Sequence, residues 1–156
     1  MTLKRTNSKN TDFIKLVKQL DAYLKITDED EHDFYNQFNN IDVLKEVVVI
    51  YAETEINSAQ VNIPVGCGAF KKFNDIAVEI KRMYVVPEKR EQGFAQKIVS
   101  ELETWAKELG YKKCVLETGK RQVEAVKFYK KCGYSIISNY GQYIGIENSI
   151  CFEKEI

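Results

Sequence analysis

At 156 residues the chain has the length of one domain with one core. Apolar residues make up 44% and charged residues 29%, which excludes a disordered or fibrous chain. Lys plus Arg and Asp plus Glu balance at 23 each, so net charge supplies no drive toward nucleic acid or an anionic membrane, and no apolar run approaches the length of a membrane span.

The four cysteines, Cys67, Cys114, Cys132 and Cys151, include no Cys-x-x-Cys pair, and the single histidine, His32, is distant from all of them. No metal site is expected on that spacing. The wide spacing and the polar start Met1-Thr2-Leu3-Lys4-Arg5 predict reduced, buried thiols in a cytoplasmic protein without a secretory leader.

In chain order, Thr11 or Asp12 is placed to cap a helix whose apolar positions are Phe13, Ile14, Leu16, Val17, Leu20 and Leu24. A second helix is expected over Glu31–Phe38. Its acidic start, Asp28 to Asp33, brackets His32 and reads first as a solvated surface. The run Val47-Val48-Val49-Ile50 predicts a buried strand within 45–52. Strands over 64–72 and 77–86, joined by Asn74-Asp75, predict a hairpin.

Residues 93–109 form the clearest helix, with Phe94, Ala95, Ile98, Leu102, Trp105, Ala106 and Leu109 on one face and Gly110 following. A short strand is expected over 113–118. Another helix is expected over 122–131, with Val123, Val126, Tyr129 and Cys132 on its stripe, and strands over 134–138 and 149–154 complete the chain. Alternating elements of this kind predict a layered α/β fold.

Chemistry concentrates in Val85-Val86-Pro87-Glu88-Lys89-Arg90-Glu91-Gln92-Gly93-Phe94-Ala95. A helix start leaves amides unpaired beside a partial positive charge, which suits a phosphate. Gly93 and Ala95 allow close approach to the backbone, and Arg90 can add a charged contact.

Arg90-x-x-Gly93-x-Ala95 after a strand ending Tyr84-Val85-Val86-Pro87 resembles the acetyl-CoA motif of the GNAT family of N-acetyltransferases. Glu79 to Val85 resembles the family's central strand. Leu116-Glu117-Thr118-Gly119 followed by Gln122, Glu124-Ala125 and Phe128-Tyr129 is similar to its next strand and helix, and Cys132-Gly133-Tyr134 to the close of that helix. The likeness is strong over the second half and reaches only element order in the first.

The resemblance implies a mixed, mostly antiparallel α/β sheet flanked by helices, with splayed central strands, in one domain over 1–156. It implies acetyl-CoA as acyl donor, with no metal. Backbone groups at Met83, Tyr84 and Val85 would hold the pantetheine arm. The amides of Arg90, Glu91, Gln92, Gly93, Phe94 and Ala95 would wrap the diphosphate, and Gln122, Ala125 and Phe128 would complete the cofactor site. Tyr129 falls on the family's tyrosine near the coenzyme sulfur and is the candidate acid. A phenol of pKa about 10 can protonate a thiolate whose acid has a pKa of about 8.5. Glu79 is the candidate base, directly or through a water, with Glu117 as rival and a backbone N–H near Met83 as oxyanion donor.

By simple alternation Glu79, Lys81, Met83 and Val85 share one face, with Ile80, Arg82 and Tyr84 on the other. Tyr35, Tyr140 and Tyr143 are candidates for the acceptor pocket. The acceptor is expected to be a primary amine of a small molecule, an amino acid among the options, and a homodimer is an option from the family. A non-catalytic acyl-CoA binder, or acetylation of a protein amine, stands as the alternative. Gly66-Cys67-Gly68 lacks the third glycine of a dinucleotide fingerprint, and Gly119-Lys120 lacks the rest of a P-loop.

Overall fold

A computed structural model describes residues 1–28 and 40–156. The helix expected over Glu31–Phe38, with His32 and Tyr35, lies outside the described residues. Three α-helices and seven strands are described: β1 Thr2–Thr6, α1 Thr11–Asp28, β2 Glu46–Ile56, β3 Ala59–Lys72, β4 Ala77–Val85, α2 Phe94–Glu108, β5 Lys113–Gly119, α3 Val123–Lys131, β6 Ser135–Ile137 and β7 Ser149–Glu155.

The strands form one sheet in the order β1-β2-β3-β4-β5-β7-β6. Only β4 and β5 run parallel; the other neighbours are antiparallel. Edge strand β1 was not foreseen, since its residues are mostly exposed and show no apolar alternation. Strands β2 and β3 extend beyond their expected limits into a hairpin turned by Asn57 (φ 51°) and Ser58 (φ 63°), the left-handed pair that suits a two-residue turn.

Helices cover both faces, which is why β2 carries an unbroken apolar run. Val48 and Ile50 face the core under α2, with Ile98, Leu102 and Ala106. Val47 and Val49 face the core under α1, with Phe13, Leu16, Val17 and Leu20. Asn10 caps α1, accepting the Phe13 amide at 2.9 Å. Neither Thr11 nor Asp12 does so; Asp12 instead accepts a bond from Tyr51 at 2.7 Å. On α3, Tyr129 is buried and Val126 and Cys132 pack against the α2-side core, but Val123 in the first turn is exposed. Cys67, Cys114 and Cys151 are buried free thiols, and Cys132 is half-buried.

Gly66 and Gly68 have a packing role. A Cβ on Gly68 would clash with the Met83 thioether and lie 2.8 Å from Ile98 Cγ2 and 3.0 Å from Leu102 Cδ1, and one on Gly66 would lie 2.9 Å from the Tyr84 carbonyl oxygen. Missing side chains on β3 therefore let α2 settle directly onto the sheet beside β4.

Two irregularities shape the centre. Strands β4 and β5 pair only at Ala77/Lys113, Val78/Cys114 and Glu79/Val115, then part. Strand β4 also carries one extra residue against β3: Ala69 pairs with Lys81 and Cys67 with Tyr84, while Arg82 takes φ 60°. A bulge of this kind breaks strict alternation. The expected division of β4 is corrected accordingly. Arg82 pairs with Asp21 of α1 and Tyr84 joins the α1-side core, whereas Ile80, Met83 and Val85 turn to the α2 side. Met83 and Val85 thus lie on the face opposite Glu79.

Candidate active site

Where β4 and β5 part, a cleft of about 120 Å³ opens through the sheet. Its lining comes from both faces. Leu20 and Leu24 of α1, Glu79, Lys81, Arg82, Glu117 and Tyr143 line the α1 side. Ile80, Met83, Leu116, Ala125 and Tyr129 line the α2 side, with Gln122 and Gly119 at the start of α3.

Glu79 is 3% exposed and accepts a bond from Tyr140 Oη at 2.6 Å. Lys71 Nζ and Lys81 Nζ stand 3.8 and 3.9 Å from its Oε1. Burial, reinforced by the Glu79 charge and hydrogen bond, pushes the Tyr140 phenol far above its ordinary value. The Lys81 ammonium is held below its ordinary value, because burial outweighs the attraction of Glu79. Glu117 accepts a 2.6 Å bond from Ser149 Oγ across the β5–β7 pair. The two carboxylates considered as bases therefore both line the cleft, each with a hydroxyl donor.

Tyr129 enters from α3 on the opposite face. Its ring packs against Phe128, Tyr134 and Phe152 at centroid distances of 5.1 to 6.0 Å. Its hydroxyl makes no hydrogen bond among the described residues. Burial, chiefly, raises its pKa, so the phenol keeps its proton.

The turn before α2 has the form expected of an anion cradle. Glu91 (φ 62°) and Gly93 (φ 85°) both take left-handed backbone, which curls successive amides inward. The amides of Glu91 through Ala95 find no acceptor among the described residues. A Cβ on Gly93 would meet nothing within 4 Å, so its approach is open. Arg90 differs from expectation in its side chain. Its Nε donates to the Val85 carbonyl at 2.9 Å, and its guanidinium lies over the Tyr23 and Tyr84 rings at 5.4 and 5.6 Å. It braces the turn against β4 and α1. Val86 donates its amide to Val65 of β3 at 2.9 Å, so by alternation the amide of Val85 points away from β3, toward the gap.

The structure thus brings together Glu79, Met83, Gln122, Ala125 and Tyr129 around one cleft. Phe128 stands behind Tyr129, and Tyr84 lies in the α1-side core. Tyr143 lines the cleft and Tyr140 reaches it through Glu79. Lys81 and Arg82 were missed as lining residues. The available signal was a pair of adjacent cations inside an otherwise buried strand.

A splayed mixed sheet with an amide-lined turn at its fork is the architecture of an acyl-CoA-dependent acyltransferase. The pattern of the acetyltransferase (GNAT) family matches residues 15–134, and the chain belongs to that family. It is an acyltransferase. An IAA acetyltransferase of Azospirillum brasilense is 24% identical over 161 residues, covering 100% of this chain and 98% of its own. A Klebsiella pneumoniae structure described as an acyl-CoA N-acyltransferase superposes with a TM-score of 0.78 at 25% identity, over 99% of this chain and 96% of its own. A GNAT acetyltransferase of Elizabethkingia anophelis with acetyl-CoA bound superposes with a TM-score of 0.66 at 18% identity, over 99% and 97% of the two chains, a likeness of fold.

Proposed function

We propose that the chain is a single catalytic domain over residues 1–156 that transfers the acetyl group of acetyl-CoA to a primary amine of a small molecule, by direct attack in a ternary complex. The observation that carries this is the cleft lined from both faces of the sheet, with the Tyr129 phenol on one side and the carboxylates of Glu79 and Glu117 on the other. A thioester delivered from the α2 side and an amine from the α1 side would meet at the fork.

The free amides of Glu91 to Ala95 suit the diphosphate, and the gap-facing backbone at Met83 and Val85 suits the pantetheine arm. Glu79 takes the proton of the acceptor ammonium, directly or through one water. The neutral amine attacks the thioester carbonyl. A backbone N–H near Met83 receives the oxyanion; as the C–S bond breaks, Tyr129 gives its proton to the departing sulfur, and the proton still on the new amide nitrogen returns to the Tyr129 oxygen, directly or through water.

The test is amine-dependent release of coenzyme A thiol over a panel of small primary amines, with the acetylated product weighed by mass spectrometry. Product from at least one amine is expected. Bound acetyl-CoA with no acetylated amine, small or peptidic, would replace the reading by a binding module.

A further inference from the structure

Arg82 occupies the extra position of the β4 bulge, in left-handed backbone, and the bulge turns its side chain onto the face that holds Glu79. There it lines the cleft with a side chain only 2% exposed. One terminal nitrogen, Nη2, pairs with Asp21 of α1, while Nε is buried with no acceptor among the described residues. A guanidinium presents five donors in a rigid fork that matches a carboxylate. A buried donor without an acceptor is costly, and a ligand oxygen would remove that cost. Lys81, with a side chain 8% exposed, lines the same stretch of cleft. The α1 side of the cleft therefore carries two carboxylates, Glu79 and Glu117, and two cations, Lys81 and Arg82. Lys81 stands 3.9 Å from Glu79 and Arg82 pairs with Asp21, which leaves the Nε donor of Arg82 as the unmatched group on this wall among the described residues. An acceptor bearing both an ammonium and an anion matches both signs.

We infer that the acceptor amine also carries a carboxylate, and that Arg82 is the residue that binds it. This rests on the acetyl-transfer reading and adds to it a substrate class and a specificity residue. Asp21 holds the guanidinium in place from α1 until the ligand's carboxylate arrives.

The experiment compares free amino acids with their own carboxamides as acceptors, at saturating acetyl-CoA, by thiol release. The carboxylate forms are expected to have kcat/KM at least about tenfold higher, the value of one charge-assisted hydrogen bond. In R82Q, KM for the carboxylate acceptor should rise by about tenfold or more, the preference should vanish, and KM for acetyl-CoA should stay within about twofold. R82K, which keeps the charge without the fork, should show an intermediate loss and reports if R82Q does not fold. Equal use of acids and carboxamides by the wild type would overturn the inference and leave acetyl transfer standing. If nothing in the panel is turned over, melting of the acetyl-CoA-saturated protein with the same pairs decides. Stabilisation by the acids alone supports the carboxylate site and counts against the transfer reading, and stabilisation by neither overturns the carboxylate site.

Discussion

Tyr140 Oη donates to Oε2 of Glu79 at 2.6 Å, joining residues 61 positions apart in the chain across the β4–β5 fork. The carboxylate proposed as base is thereby fixed in direction with one oxygen occupied and the other near Lys71 and Lys81. Glu79→Gln should lower kcat by about a hundredfold or more, the usual worth of a positioned base, with little change in KM for acetyl-CoA. Wild-type turnover in this variant would transfer the role to Glu117 or to water.

Tyr129 reaches the cleft from the other face and keeps its proton because it is buried. Tyr129→Phe removes only the hydroxyl and leaves the ring contacts with Phe128, Tyr134 and Phe152. Loss of about a hundredfold in kcat, with acetyl-CoA affinity within about twofold, is the expected kinetic signature. Unchanged kcat would remove Tyr129 from the mechanism.

Much of the second half of the fold, from β4 to β7, was legible because local chemistry builds it. A glycine at a helix start, an apolar stripe at helical spacing and a strand before the turn all act within a few residues. What stayed hidden depends on partners far away in sequence. The bulge at Arg82 uses no turn-forming residue, so strict alternation set Met83 on the wrong face. Strand β1 buries little and exists through pairing with β2, which no local pattern announces. Gly66 and Gly68 looked like a broken nucleotide motif until α2 was seen lying over them. Arg90 resembled a phosphate ligand, yet its guanidinium is engaged by Val85, Tyr23 and Tyr84.

Gly68→Ala tests that close approach. A methyl group would meet the Met83 thioether first and lie 2.8 Å from Ile98 Cγ2, so Met83 must swing aside and α2 or the sheet must also give. Overpacking of this kind costs about 1–3 kcal/mol. At roughly 2–4 °C per kcal/mol for a chain of this length, a calorimetric Tm should fall by several degrees. An unchanged Tm would mean that α2 yields freely.

Lys81 supplies a pH signature. Its folded-state pKa lies below the ordinary 10.5 because burial dominates. Its neutral form is thus favoured by folding, and the stability linked to it is fully present above 10.5 and lost as pH falls through the lowered value. Lys81→Met should lack that dependence. Urea unfolding of both proteins between neutral pH and about 10 should show the wild type losing stability relative to the variant as pH falls. Parallel curves would contradict a buried ammonium.

The turn from Glu91 to Ala95 is proposed to bind the diphosphate of acetyl-CoA, and thermal melting with and without the ligand tests this most directly. Acetyl-CoA at about a hundred times its Kd should add roughly 2.7 kcal/mol, a rise of several degrees, while ATP and NAD should add little. Gly93→Val places a branched side chain in the open approach, on backbone at φ 85° that disfavours it, and should abolish most of that rise. A wild-type protein that does not respond to acetyl-CoA, or a Gly93→Val variant that responds as fully as the wild type, would contradict the account.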